Sequence, residues 1–307
     1  MRLTPQEWRL RGHVVALPDA RVFAVDLAAQ GAAPQERTAL LALHGFPTSS
    51  WDWAEAAPLL SASGRRVVLF DGLGFGLTET SPDAACSVFD QADAAIAVLR
   101  AAGVVRAHIW AHDMGTSVAT ELLARREQGL LPFEVASVVL MNGGLYVEMS
   151  RPAVGQRLLM SRVGPWCARL ARRGIFAAQL RRVFGRPPDP SVIDGMWNLV
   201  ARDGGTRRLP TTIRFMGDRA RFRRRWIGAL ERSGLPVLIA WGGKDPVTRL
   251  DIGRRLAREI PGAELRTWDD LGHYPHVEDA VRVERDVSAF LNRVDDVRAS
   301  SPSYRRW

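Results

Sequence analysis

Lysine is almost missing from this chain: of 42 basic residues among 307, only Lys244 is a lysine and the rest are arginine. Cysteine is scarce too. Cys86 and Cys167 lie far apart, in no CxxC pair and beside no histidine cluster, so a disulfide framework and a structural zinc are excluded and a reducing, cytoplasmic setting is expected. No stretch approaches the roughly 18 uncharged apolar residues of a spanning helix, and the opening MRLTPQEWRLRGHVV has no apolar targeting segment. What is present is ordinary globular composition, 47% hydrophobic and 24% charged, in a chain long enough to bury a sizeable core. The formal net charge of +9 raises the question of a nucleic-acid partner. No helix-turn-helix, zinc-finger or RNP pattern occurs, and the basic residues lack the interleaved aromatics of a single-strand groove, so no nucleic acid is expected.

Short apolar runs alternate with helix-like segments. After an opening strand pair (14–17 and 22–27) come strands at 39–43, 66–70, 107–111 and 136–141, with helices at 53–61, 88–102 and 115–126 between them. This is the pattern of a mostly parallel sheet covered on both faces. From Tyr146 to Leu230 the strand signal vanishes into arginine-rich amphipathic segments containing tryptophans. The sheet pattern then resumes with strands at 236–241 and 264–268 and helices at 251–259 and 280–291. The expected organisation is an α/β core (1–145), a helical cap (146–230) inserted after the sixth strand, the rest of the core (231–294) and a basic tail (295–307).

The chemistry sits where strands end. Ala111-His112-Asp113-Met114-Gly115 joins a strand to a helix by a small-x-nucleophile-x-Gly turn, which projects its central side chain outward. Asp113 is therefore the candidate nucleophile, with the positive end of the next helix favouring its ionised form. A carboxylate attacking an ester would form a poor anhydride intermediate, whereas attack on an sp3 carbon gives an ordinary alkyl ester. Asp245, after the strand at 236–241, and His273, after the last strand, follow in the order nucleophile, acid, histidine. His273 would activate water and Asp245 would hold its imidazole. The backbone N–H groups of Phe46, in His44-Gly45-Phe46-Pro47, and of Met114 would form the oxyanion hole. Each of the three also has an ordinary alternative: a helix cap for Asp113, a loop histidine for His273, an Asp-Pro turn for Asp245. Asp71-Gly72-Leu73-Gly74-Phe75-Gly76 has GxGxG rather than GxGxxG spacing and is taken as a tight turn.

These residues resemble the α/β hydrolases with an aspartate nucleophile, the group of epoxide hydrolases and haloalkane dehalogenases. HGFP at 44–47 is similar to the HGxP motif of the epoxide hydrolases, and His112-Asp113 to their nucleophile turn. A closer resemblance, over about Val14 to Leu291, is to the mesoderm-specific transcript hydrolase-like subfamily, carried by HGFPTSSWDW (44–53), LMNGGLY (140–146), MWNLVARDGG (196–205), RRRWIGAL (223–230) and HYPHVED (273–279). The resemblance implies an α/β-hydrolase fold with a cap and no cofactor or metal. Haloalkane dehalogenases usually place tryptophan after the nucleophile; here that residue is Met114, and Phe46 supplies no halide donor in the HGxP loop. An epoxide is therefore favoured, a haloalkane is the alternative, and a non-catalytic scaffold binding a ligand or an anionic surface is the third reading. Epoxide hydrolases use two cap tyrosines, and only Tyr146 lies near the cap. His44, Tyr146, Asn142, Trp166, Trp197 and Trp226 are the candidate substrate contacts, although His44 and the tryptophans equally suit structural roles.

The cap carries 18 arginines against five acids, +13, which leaves the remainder at −4. A small lipophilic substrate is expected, and a basic cap on a mildly acidic core suits either the steering of anionic substrates or peripheral contact with an anionic membrane that stores lipophilic ones. Oligomeric state is left open.

Overall fold

The computed structural model describes residues 2–30, 38–81 and 83–300. Among the described residues, nine strands form one sheet: β1 (Gly12–Leu17), β2 (Ala20–Leu27), β3 (Ala39–Leu43), β4 (Val67–Phe70), β5 (Glu79–Thr80), β6 (Arg106–His112), β7 (Glu134–Met141), β8 (Val237–Gly242) and β9 (Glu264–Trp268). The order is β1-β2-β4-β3-β6-β7-β8-β9, with β5 beside β2. From β4 to β9 neighbouring strands are parallel, whereas β1 and β2 join as an antiparallel pair. Every residue of β3, β4 and β8 is buried, as expected of strands covered on both faces. Side chains alternate between two apolar layers: Ile109, Val138, Leu140 and Ile239 pack on one face, Trp110, Val139, Leu238 and Ala240 on the other.

The helical segment lies between β7 and β8, after the seventh strand rather than the sixth, because the two-residue β5 is too short to be seen in the sequence. The supposed tail begins too early: 295–299 are the final turns of the helix Ala280–Ala299, while 301–307 lie outside the described residues. The helix Pro5–Arg11 was not anticipated; Thr4 and Glu7 form its capping box and Trp8 anchors it in the core. Helix Met114–Glu127 is buried continuously from Met114 to Ala124, because it is enclosed by the sheet and by helices Val88–Ala101 and Arg223–Arg232. Such enclosure needs no apolar stripe, and the sequence shows none. Among the described residues, no helix is long and apolar enough to cross a membrane.

Candidate active site

Asp113 occupies the turn between β6 and helix Met114–Glu127 with φ +44° and ψ −108°, a conformation costly for a side-chain-bearing residue. Its neighbours must be small. A Cβ on Gly115 would sit 2.7 Å from the Leu43 carbonyl oxygen, and one on Gly45 would sit 2.8 Å from the Asp113 Cβ. The Asp113 side chain does not cap its own helix. Instead its Oδ2 accepts a 3.1 Å hydrogen bond from the Phe46 N–H. Met114 is the first residue of the helix, where backbone N–H groups have no intrahelical partner. Phe46 and Met114 are thus both at the turn.

Asp245 and His273 are joined. The His273 Nδ1 lies 2.6 Å from the Asp245 Oδ2, with both side chains almost fully buried. Asp245 is itself held on every side: its Oδ1 accepts from the Val247 and Thr248 N–H groups at 2.7 and 3.0 Å, and its Oδ2 from the Asn142 amide at 2.8 Å and the Thr248 hydroxyl. Burial works to raise the Asp245 pKa, yet His273 and these donors outweigh it and hold the carboxyl below its ordinary range. For His273 burial works downward, and the charge and hydrogen bond of Asp245, aided by Asp113, prevail and raise it. Such an imidazole suits a general base whose tautomer is fixed, with Nδ1–H toward Asp245 and Nε2 left free to accept a proton.

A cavity of about 310 Å³ lies between the sheet and the cap, its wall including Phe46, Leu159, Phe176, Trp197, His273 and Tyr274. Its mainly apolar lining with few polar groups is the usual character of a small-molecule pocket. The Asp113 carboxylate lies just behind this wall, 3% exposed, where Phe46 and His273 connect it to the cavity.

Five of the expected substrate contacts do not line this cavity. Tyr146 is completely buried and its hydroxyl donates to Glu259, on the helix Leu250–Glu259; burial and that carboxylate push the phenol pKa up. Trp166 is 66% exposed on the outside of the cap. The Trp226 indole N–H donates to Glu121 at 3.0 Å, on the side of helix Met114–Glu127. Asn142 serves the acid, taking a bond from the Gly242 N–H at 2.9 Å while donating to Asp245. His44 is structural: its Nε2 accepts from the Gly72 N–H at 2.9 Å, so its Nδ1–H donates to the Gly45 carbonyl at 2.8 Å, and burial lowers its pKa. Trp197 alone of the cap tryptophans lines the cavity.

Two residues outside the candidate set stand at the site. The Tyr274 phenol is buried against the cavity, 3.4 Å from the Phe46 carbonyl oxygen; its place beside His273 was the available signal. Arg219, in the cap helix Phe215–Arg221, is 3% exposed and donates from Nη2 to the Asp113 carbonyl at 2.5 Å and from Nε to the Ser117 hydroxyl at 2.7 Å. The same Nη2 lies 3.5 Å from Asp113 Oδ1. Nothing in the sequence separates it from the other cap arginines.

Among the described residues one group has the composition of a metal site: Asp52, His112 and His276, whose candidate ligand atoms lie within 4.8 Å of one another. All three are buried and none lines the cavity. Asp52 Oδ1, His112 Nδ1 and both His276 nitrogens have no hydrogen-bond partner. Burial pushes Asp52 up to about 7, His112 down to about 3 and His276 well below the ordinary range. The two histidines are thus biased toward their neutral forms and Asp52 toward partial protonation, and Arg2, close enough to bear on both Asp52 and His276, adds a positive charge that disfavours a cation.

The sequence profile of the α/β hydrolase fold family matches residues 38–280. The chain belongs to that family. Relatives of the α/β hydrolase include the protein designated hydrolase LipZ of Mycobacterium tuberculosis, 34% identical over 275 residues, covering 89% of this chain and 93% of that one. The human mesoderm-specific transcript homolog protein is 32% identical over 295 residues, covering 93% and 87% respectively. A thermophilic esterase from Thermogutta terrifontis shares the fold with a TM-score of 0.74 at 20% identity, covering 92% of this chain and 98% of the esterase.

Proposed function

We propose that this α/β hydrolase cleaves a lipophilic substrate at an sp3 carbon through a covalent ester on Asp113, in the manner of an epoxide hydrolase. The observation that carries this reading is the seat of the Asp113 Oδ2 on the Phe46 N–H. In a serine hydrolase that donor waits for the carbonyl of the substrate. Here the carbonyl that must become tetrahedral is the enzyme's own, and one of its oxygens is already in place.

Oδ1 attacks a ring carbon of the epoxide, the C–O bond breaks, and the freed oxygen takes the proton of the Tyr274 phenol, leaving a hydroxyalkyl ester on Asp113 and a phenolate that recovers its proton once the ester is hydrolysed. Water then gives a proton to the His273 Nε2 as its oxygen attacks the Asp113 carbonyl carbon, and the negative charge gathers on the oxygen held by Phe46 and Met114. Collapse expels the alkoxide, which takes the proton from His273 to complete the diol; Asp113 is left as the carboxylic acid, and its proton restores the Tyr274 phenol. Asp245 balances the imidazolium throughout. Tyr274 and Trp197 are the phenol and indole donors in the cavity wall that can meet the leaving oxygen. Trp197 also favours the second reading, a haloalkane dehalogenase, since an indole N–H can equally stabilise a departing halide.

A single turnover on a lipophilic epoxide in heavy-oxygen water is expected to place label in the Asp113 carboxylate. Asp113→Ala is expected to abolish turnover, and His273→Gln to accumulate an ester detectable by mass. An unlabelled Asp113 overturns the mechanism. Halide release from bromoalkanes without diol formation from epoxides moves the assignment to the dehalogenase.

A further inference from the structure

The outer face of the cap is unlike the rest of the surface. Residues 149–188 contain nine arginines and no lysine, aspartate or glutamate, so these forty positions carry +9, equal to the formal charge of the whole chain. All nine arginines are exposed. The same stretch holds Val154, Leu158, Met160, Val163, Trp166, Leu170 and Ile175, each between 44% and 66% exposed. Seven large apolar side chains in water within 22 residues make a patch that a free surface seldom keeps without a use.

The patch surrounds the cavity mouth. Leu158, Leu170 and Ile175 come from three successive helices, Val154–Met160, Gly164–Arg169 with its cap residue, and Arg173–Arg181. Each is exposed and each also lines the cavity, so together they form its rim. Trp166 projects nearby with the Arg169 guanidinium 5.5 Å from its ring centre. An exposed tryptophan, aliphatic side chains and an excess of exposed arginines are the composition of a surface that lies in the headgroup region of a bilayer: the apolar groups enter the acyl boundary and the cations meet anionic lipid.

We infer that the face formed by helices Val154–Met160, Gly164–Arg169 and Arg173–Arg181 docks on anionic membrane, so that the cavity mouth opens into the lipid and receives substrate dissolved there. Charge selects the partner. Arg173 already pairs with Asp194, and Arg186 with Asp270 and Asp279; a neutral apolar partner offers no charge to the other arginines of the face, while a soluble polyanion leaves seven apolar side chains in water. Docking does not depend on the chemistry at Asp113, so binding and turnover are separable.

The test is co-sedimentation of the full chain with phosphatidylcholine vesicles containing increasing phosphatidylglycerol. Partitioning is expected to rise steeply with phosphatidylglycerol and to fall with salt. Val163→Ser with Trp166→Ala is expected to reduce partitioning about tenfold at fixed lipid charge, and Arg157→Gln with Arg162→Gln and Arg169→Gln to flatten the dependence on phosphatidylglycerol. Unchanged melting temperatures of both variants establish that the fold is intact. Equal binding to neutral and anionic vesicles, indifference to the apolar pair, or retention on heparin without vesicle binding each overturns the inference. Activity of Asp113→Ala is irrelevant to this readout, and its vesicle binding is expected to match that of the wild-type chain.

Discussion

The two halves of the cap have similar compositions and opposite fates. In the segment from Val154 to Arg181 the arginines point to solvent, and among them Arg173 finds a carboxylate, Asp194, which is also in the cap. In the segment from Phe215 to Arg232 arginines reach back to the core. Arg219 binds the nucleophile turn, Arg225 forks onto Glu121 at 2.8 and 3.0 Å, and Arg232 pairs with Glu127 at 3.1 Å. The difference lies in what each half faces. Helix Met114–Glu127 offers Glu121 and Glu127 to the second half, while the first half sits over an open cavity. Arginine content alone therefore says nothing about tethering; the location of the carboxylates decides it.

Breaking the strongest tether gives the largest effect. Arg219→Ala removes a buried cation and strands its partners at the turn, a change of the kind that costs about 3–5 kcal/mol. Chemical denaturation should show that loss, together with a large drop in kcat; Arg157→Gln on the outer half should stay within about 0.5 kcal/mol of wild type. Equal effects at the two positions would erase the contrast.

Glu121 sharpens the comparison by pH. Burial works to raise its pKa, but Arg225, Trp226 and Arg125 outweigh burial and hold it below the ordinary carboxylate value. Its contribution is therefore present above that ordinary value and lost as pH falls through the folded value. Glu121→Gln should destabilise the chain at pH 7 by about 1–3 kcal/mol and progressively less in acid, with denaturation midpoints across pH as the measurement. A difference that grows in acid contradicts the assignment.

His273 gives a third, kinetic prediction. Because its pKa is raised mainly by Asp245 against burial, hydrolysis of the Asp113 ester should fall off on the acid side at a pH above the ordinary histidine value. Asp245→Asn should move that limb to lower pH while slowing the step, as read from pre-steady-state ester decay.

An effect of the opposite sign is expected at Asp52. Its folded pKa of about 7 exceeds the ordinary 3.8, so ionisation destabilises the fold as pH rises from about 4 to about 7. Asp52→Asn cannot ionise. Its melting temperature relative to wild type should climb across that window and level off above it.

Much of the site was legible because it lies where strands end. The turn Ala111–Gly115, the loop holding Asp245 and the loop holding His273 are local patterns, and local backbone geometry puts their side chains on one edge of the sheet. The contacts made by the cap are not local. Tyr146 finds Glu259 113 positions away, and Trp226 finds Glu121 105 positions away. A tyrosine near the cap therefore looked like an acid for catalysis, and an inward-turned arginine looked like all its neighbours. Burial is likewise invisible at that level: Trp166 and Trp226 are both cap tryptophans, yet one is 66% exposed and the other 1%.

Arg219 also constrains how molecules can enter and leave. To swing the cap open as one body, the protein would have to pull a buried guanidinium off the main chain of Asp113 and off Ser117. The half of the cap that carries Arg219 is a fastening. Passage past the exposed rim at Leu158, Leu170 and Ile175 requires no such break, so the cavity can exchange its contents while Asp113 keeps its arginine in place.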